Sequence, residues 1–240
     1  MIFSAVICDV DGVLLASPHE RAWREALVGL ADPDRFTTAI YQAHVAGKPR
    51  QDGALAALQA MGVADAARRV DEYARRKQAR LEGLIAEGAV KAYPDAVAFV
   101  LAVRGLGIAL SAASSSKNAN AMMRLVPVSP GLSLLDLFEG NVCGRDLRHG
   151  KPDPELFLLA ASELGVKPSQ CLVVEDAPAG VEAALAGGMR ALGVARFHDA
   201  KLLRAAGAER VVTSLDEVAI ADLGGGLLRR ANVKDGLDER

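Results

Sequence analysis

Short apolar runs that alternate with helical patterns are the feature that most constrains the fold of this chain. The first run is β-branched-rich and too short for a helix, so we interpret it as a buried parallel strand. The predicted strands are residues 3–10, 107–113, 171–175, 191–195 and 210–213. The predicted helices are residues 94–104, 117–125, 154–164, 177–186 and 199–206. This alternation predicts an α/β fold with a doubly wound parallel sheet.

One long region interrupts the alternation directly after the first strand. Residues 17–89 are helical in pattern throughout and carry no strand signal. We therefore predict an inserted helical domain at residues 17–89 and an α/β core that is formed by residues 1–16 and 90–240. The polar tail from Lys234 is expected to be frayed.

Composition narrows the classes of function. The 240 residues are 51% hydrophobic and carry a net charge of −2, so we expect neither a nucleic acid nor an anionic membrane as partner. The three cysteines form no C-x-x-C motif, which argues against a disulfide framework or a zinc site. The first residues lack a basic segment followed by a long apolar one, and no apolar stretch approaches the roughly 18 residues of a membrane span. We predict a soluble cytoplasmic protein that is a monomer or a weak dimer.

Chemically reactive side chains follow three of the predicted strands. In open α/β sheets ligands bind beyond the carboxyl ends of the strands, so these side chains are expected to meet at one edge. A further lysine lies in the segment Gly-Lys-Pro-Asp-Pro just before a predicted helix. The segments are Asp9-Val10-Asp11-Gly12, Ser114-Ser115-Ser116-Lys117-Asn118, Gly150-Lys151-Pro152-Asp153-Pro154 and Glu175-Asp176.

This set of groups suits phosphoryl transfer. Two aspartates one residue apart at a strand end allow one carboxylate to attack while the other handles a proton. A carboxylate that approaches a phosphate dianion is repelled by roughly 4 kcal/mol per unit-charge pair at about 4 Å. A lysine and Mg²⁺ can offset that repulsion, and Asp9, Glu175 and Asp176 can supply the oxygen ligands that Mg²⁺ prefers. Lys151 and Ser114 are the candidate ligands of the phosphate oxygens.

The four motifs, in this order, resemble the signature of the haloacid dehalogenase superfamily over nearly the whole chain. The resemblance implies a Rossmann-like core with a small helical cap as the insert. It also implies that Asp9 is the nucleophile, that Asp11 is the general acid and base, and that Ser114 and Lys151 bind the transferring phosphate. The implied ligands of Mg²⁺ are Asp9, the main-chain carbonyl of Asp11, Asp176 and, in support, Glu175.

Finer motifs resemble the β-phosphoglucomutase branch of this superfamily. The segment His19-Glu20-Arg21-Ala22-Trp23 is similar to one at the entrance of its cap, and Arg50 falls where that cap offers a substrate-binding arginine. Lys77 resembles the lysine of an Arg-Lys pair on a later cap helix. The residues implied to bind substrate are His19, Trp23, Arg50, Lys77, Ser115, Ser116, Lys117 and Asn118.

These cap residues also have simpler interpretations. Trp23 fits a core residue of the helical insert under any function, and Arg50 and Lys77 fit solvated charges. The segment between Asp11 and His19 is shorter than the branch pattern and lacks the acidic residue often found there.

Two functions follow from the resemblance. The first is a mutase that converts β-glucose 1-phosphate to glucose 6-phosphate through a bisphosphate, which two anion sites could hold at both ends. The second is a phosphatase that passes the phosphoryl group of a small sugar phosphate to water. A non-catalytic protein is disfavoured because no catalytic group is missing, and a haloacid dehalogenase proper would not need Glu175 and Asp176. A dehydrogenase is disfavoured because no G-x-G-x-x-G follows the first strand.

Overall fold

The computed structural model describes residues 2–231, and the tail predicted to be frayed from Lys234 lies outside them. The strands are β1 (Ala5–Cys8), β2 (Leu15–Ala16), β3 (Lys91–Ala92), β4 (Ala109–Ala112), β5 (Pro127–Ser129), β6 (Leu132–Ser133), β7 (Gly140–Asn141), β8 (Cys171–Glu175), β9 (Arg190–Val194) and β10 (Arg210–Val212). The helices are α1 (His19–Glu25), α2 (Thr38–His44), α3 (Arg50–Ala60), α4 (Ala66–Ala86), α5 (Pro94–Gly105), α6 (Ala119–Arg124), α7 (Glu155–Glu163), α8 (Pro178–Ala186), α9 (Ala200–Ala205) and α10 (Ile220–Leu223).

Six strands form one parallel sheet in the order β10–β9–β8–β1–β4–β7, which confirms the predicted doubly wound fold. All four residues of β1 are buried, as expected for a central strand covered on both faces. The chain leaves β1 toward β4 on one side, while β8 pairs with β1 on the other. The carboxyl end of β1 therefore lies where the strand order reverses, the usual place for a ligand. Edge strand β7 was not predicted, because its two residues form no apolar run.

Helices cover both faces of the sheet with separate apolar cores. On one face α5 and α6 contribute Phe99, Val103 and Met122 to a large buried cluster. On the other face α7, α8 and α9 contribute Phe157, Val181 and Leu203. Burial of these side chains fixes the sheet between two helical layers and holds the strand ends in place.

Residues 17–89 contain helices and turns and no strand, as the sequence pattern indicates. Helices α1, α3 and α4 pack around their own apolar cluster, which includes Leu27, Leu58 and Tyr73. The Tyr73 hydroxyl donates to the Trp23 carbonyl at 2.8 Å, and the two rings lie 5.2 Å apart. This helical segment, called the cap below, therefore has its own buried core.

The chain enters and leaves the cap through a short pair of antiparallel strands. β2 pairs with β3, and the Tyr93 N–H donates to the Leu14 carbonyl at 3.0 Å. Arg196 lies behind this crossing, with its guanidinium 4.0 Å from the centroid of the Tyr93 ring and 2.6 Å from Asp95 Oδ2. The two segments that connect the core to the cap therefore contact each other and the core. These contacts hold the cap above the carboxyl end of the sheet. Across residues 2–231, every helix is too short or too polar to span a bilayer.

Candidate active site

The loop after β1 brings three carboxylates together. Asp9 is anchored by its N–H, which donates to the Val174 carbonyl at 3.0 Å. Gly12 has a φ of +88°, and a Cβ built there would overlap the carboxylate of Asp176. Glycine is therefore required at this position both for the turn and for the close approach of Asp176. The turn lets Asp9, Asp11 and Asp176 line the same cavity.

A buried lysine lies beneath Asp9. Lys151 Nζ is 2.5 Å from Asp9 Oδ1 and also contacts Glu175 Oε1, and the Lys151 side chain is fully buried. Burial alone would lower the pKa of Lys151, but the two carboxylates outweigh it and raise the pKa above its ordinary value. Lys151 is therefore a permanent cation next to the predicted nucleophile.

Glu175 is fixed in turn from the other side. Its Oε2 accepts a hydrogen bond from the Ala177 N–H at 2.8 Å, and a Cβ on Gly180 would overlap its carboxylate. Glu175 does not line the cavity. It holds the Lys151 ammonium from behind, so that Lys151 points its charge at Asp9.

The carboxylates repel one another in this buried setting. The pKa of Asp9 is raised to about 7: burial contributes most, Lys151 opposes it, and the charges of Glu175 and Asp11 add to the rise. Burial also raises the pKa of Asp176 well above its usual range, followed by the charges of Glu175 and Asp9. Additional positive charge would thus stabilise the ionised forms.

The donor set fits a divalent cation. Within residues 2–231 no hydrogen-bond donor or cation contacts the Asp176 carboxylate, and Asp11 Oδ1 is buried without a hydrogen-bond partner. Oxygen ligands of this kind, close together and with unused lone pairs, are those that Mg²⁺ prefers. Asp9, Asp176 and the Asp11 segment could hold such an ion.

Serines from the loop after β4 face Asp11. Ser114 Oγ donates to Asp11 Oδ2 at 3.3 Å and accepts from the Ser116 N–H at 3.0 Å. Ser116 Oγ in turn accepts from the Asn118 N–H at 3.2 Å. Ser115 points toward the cap, where its Oγ donates to the Gly47 carbonyl at 3.4 Å. All four residues line the cavity, as the sequence predicts.

The cap supplies a histidine and a second buried lysine. Lys77 Nζ lies 2.9 Å from His19 Nδ1, and 4.8 Å from the centroid of the Trp23 ring. A protonated ammonium can only donate, so His19 accepts at Nδ1 and carries its proton on Nε2. Nε2 lies 3.4 Å from Ser116 Oγ and 3.5 Å from Asp11 Oδ1.

His19 and Lys77 are both buried, which disfavours their charged forms when no ligand is bound. The pKa of His19 is lowered to about 4, chiefly by burial and then by the nearby charge of Lys77. The contact between His19 and Asp11 is therefore not an ion pair at neutral pH. Burial likewise lowers the pKa of Lys77 to about 7, with Asp11 opposing and Arg50 adding to the shift.

The remaining predicted residues lie around the cavity with different partners. Arg50 lines it from the first turn of α3. Lys117 also lines it, but its ammonium pairs with the exposed Asp146 at 2.7 Å. Trp23 belongs to the cap core and also lines the cavity; its predicted role in substrate binding stays a prediction.

Gln78 and Tyr41 are among the cavity residues that were not predicted from the sequence. The Gln78 amide is 3.3 Å from Asn118 Oδ1 and so joins cap to core, while Tyr41 lines the cavity from α2. Neither residue belongs to a recognisable motif, and only the packing of the cap brings them to the site. The cavity that all these residues enclose measures about 440 Å³.

Comparison with known proteins agrees with this geometry. The haloacid dehalogenase-like hydrolase family matches residues 3–188. A β-phosphoglucomutase of Mycobacterium bovis is 34% identical over 89% of this chain and 90% of its own. A phosphorylated carbohydrates phosphatase of Thermotoga maritima is 30% identical over 87% of this chain and 93% of its own. The solved β-phosphoglucomutase of Pyrococcus sp. strain ST 04 superposes with a TM-score of 0.73, 31% identity and coverage of 95% of this chain and all of that one. This chain therefore belongs to the haloacid dehalogenase-like hydrolase family, in its β-phosphoglucomutase-like branch.

Proposed function

We propose that this chain is a Mg²⁺-dependent phosphotransferase that carries a phosphoryl group on Asp9 and acts as a β-phosphoglucomutase, converting β-glucose 1-phosphate to glucose 6-phosphate. The observation that carries the proposal is the contact between Asp9, which lines the cavity shared by core and cap, and the buried Lys151 behind it. We also propose the domain division of the chain into a core of residues 1–16 and 90–240 and a cap of residues 17–89.

Charge neutralisation at the floor supports the assignment of Asp9 as nucleophile. The Lys151 ammonium next to Asp9 would reduce the repulsion that an incoming phosphate dianion meets there, and Ser114 Oγ donates to the neighbouring Asp11. Mg²⁺ held by Asp9, Asp176 and the Asp11 main-chain carbonyl, with Glu175 in support, would supply further positive charge to the phosphate oxygens.

Asp11 is placed to handle the proton of the sugar hydroxyl. Its Oδ2 accepts from Ser114, while Oδ1 is buried without a hydrogen bond and faces the cavity side occupied by His19. A carboxyl with one free oxygen can give or take a proton at the oxygen that leaves or attacks phosphorus. General acid–base catalysis of this kind contributes about 10²–10⁴ in rate.

A second group of donors lies away from Asp9 and supports the mutase. Arg50, Ser116 and Asn118 line the cavity, and Lys77 adds a cation that lacks a carboxylate partner in an ion pair within residues 2–231. A sugar bisphosphate has a phosphate at each end and needs donors at both. His19 and Lys77 are then placed to position the sugar and Trp23 to form part of its wall.

The alternative is a phosphatase that acts on sugar phosphates or other small phosphomonoesters with the same core residues. The ion pair of Lys117 with Asp146 favours it, because that ammonium is drawn away from a second phosphate. The similarity to a carbohydrate phosphatase is of the same order as the similarity to a mutase.

One assay separates these functions. The purified protein is given β-glucose 1-phosphate, Mg²⁺ and a trace of the 1,6-bisphosphate, and glucose 6-phosphate and free phosphate are measured in parallel. The mutase produces glucose 6-phosphate well in excess of free phosphate. Rapid release of phosphate without glucose 6-phosphate would identify the phosphatase, and the absence of both products would reject the proposal.

A further inference from the structure

The cap contacts the core at a point where a proline ring packs against a glycine. The pyrrolidine ring of Pro49 lies against Gly150, and a Cβ built on Gly150 would overlap the ring Cγ and Cδ while lying 3.4 Å from its Cβ. Pro49 directly precedes Arg50, and Gly150 directly precedes Lys151. The contact, called the interlock below, therefore joins the neighbour of the cap arginine to the neighbour of the core lysine.

Two further contacts surround the interlock. A Cβ on Gly47 would lie 3.2 Å from Ala177 Cβ and 3.7 Å from Lys151 Cδ, and the Gly47 carbonyl accepts from Ser115 at 3.4 Å. The segment from Gly47 to Arg50 thus rests directly on the loops that carry the core side of the site. Its approach depends on small groups at the contact surface.

We propose that Gly150 is a positioning residue for the reaction: by admitting the Pro49 ring, it fixes Arg50 at a set separation from Lys151 and keeps water from the phosphorylated Asp9. The inference rests on the proposed function, because the interlock would determine whether sugar or water accepts the phosphoryl group from Asp9. A stiff proline ring against a residue without a side chain defines one closed position. A bulkier residue at position 150 keeps the cap from reaching this closed position.

The first test is Gly150→Ala. The φ of Gly150 is not in the left-handed region, so the methyl strains the interlock and not the backbone. The ratio of glucose 6-phosphate to free phosphate should fall about 10²-fold, because a displacement of about 1 Å has that cost in oriented reactions. Hydrolysis of para-nitrophenyl phosphate, which has no second phosphate for Arg50, should persist. Loss of both activities together would mean that the methyl displaces Lys151 and would overturn the proposal.

A second substitution provides the rescue. Pro49→Ala removes the ring Cγ and Cδ and leaves a Cβ at 3.4 Å from the new methyl, so the double variant should regain the wild-type product ratio. Gly105→Ala, which adds the same methyl in open space, is the matched control and should not change the ratio. A double variant that stays as impaired as Gly150→Ala would contradict the interlock.

Cap position can be measured without any reaction. The native cysteines are buried and free: Cys8, Cys143 and Cys171. Probes can therefore be attached at cysteines introduced for the exposed Asp71 on the cap and Glu182 on the core. Gly150→Ala should shift the inter-probe distances to longer values, and Pro49→Ala should reverse the shift. Identical distances in all variants would overturn the inference even if the wild type proves to be an active mutase, while a wild type without either product would reject only the proposed function.

Discussion

Two lysines, one in the core and one in the cap, are buried to the same extent, and their surroundings differ. Lys151 in the core and Lys77 in the cap are each 3% exposed. Lys151 contacts the carboxylates of Asp9 and Glu175, which hold its pKa above the ordinary value. Lys77 contacts the neutral imidazole of His19 and lies over Trp23, and burial lowers its pKa to about 7.

The difference shows how the two halves of the site are prepared. In the core the positive charge is neutralised without a ligand, so Asp9, the proposed nucleophile, and Lys151 are already oriented. In the cap Lys77 forms no ion pair with a carboxylate of residues 2–231. Folding carries the cost of desolvating Lys77, and binding of an anionic ligand would offset it. Under the proposed function, the core half would carry the chemistry and the cap half would select a charged ligand.

The strongest test of the core half is Asp9→Asn. The substitution keeps the shape of the side chain but removes the attacking carboxylate, so both sugar transfer and phosphate release should fall about 10⁴-fold or more. Turnover is measured with β-glucose 1-phosphate, and circular dichroism checks the fold. Glu182→Gln, a change at an exposed carboxylate, serves as control. Near-normal turnover of Asp9→Asn would refute the assigned mechanism.

Lys151→Met should destabilise the core half of the site, in which two carboxylates neutralise the lysine. The variant leaves Asp9 and Glu175 buried side by side without a cation, and removal of one partner of a buried pair costs about 3–5 kcal/mol. Urea unfolding at pH 7 measures the loss. The destabilisation should be smaller at pH 5, where protonation relieves the repulsion between the two carboxyls. A variant as stable as wild type at both pH values would contradict the paired arrangement.

Lys77→Met should have the opposite effect on stability. The folded-state pKa of Lys77 lies below its unfolded value, so the unfolded chain binds the extra proton between about pH 7 and 10.5. The wild type therefore becomes more stable as pH rises through that window, whereas the variant does not. At pH 7 the variant should be more stable by about 4 kcal/mol, a gain that vanishes near pH 10.5. Lys201→Met, at an exposed position, should leave stability unchanged.

The smallest expected effect concerns substrate affinity. Lys77 faces His19, Trp23, Asp11 and Arg50, and its positive charge declines as pH rises above about 7. The KM of the wild type for the sugar phosphate should therefore rise between pH 7 and 9, by at most about tenfold per pH unit. In Lys77→Met the KM should be higher at pH 7 and nearly independent of pH across that range. A parallel rise in both proteins would show that another group controls binding.

The sequence predicted the fold because its signals are local. The central strands β1 and β8 are short apolar runs that contain β-branched residues, and the pattern of residues 17–89 is helical without interruption. The strands that it did not predict contain only two or three residues each: β2, β3, β5, β6 and β7. Such strands exist because neighbouring segments pair with them, which no local pattern records.

The core half of the site could be located from the sequence for the same reason. Asp9, Ser114 and Asp176 each follow a strand, and the carboxyl ends of parallel strands meet at one edge whatever the loops do. Lys151 is also recognisable by its motif, although its complete burial between Asp9 and Glu175 is not. That burial follows from packing on both sides of the sheet.

By itself, the sequence determined the α/β class, the helical insert and the residues at the strand ends, because periodicity and motif order are properties of the chain. Only the tertiary structure decided which cap residues reach those strand ends. Tyr41 and Gln78 enter the cavity, Lys117 turns to Asp146, and Pro49 rests on Gly150. These contacts join residues far apart in sequence across two packed segments, so they depend on the angle at which the cap meets the core, and that angle is set by side-chain packing.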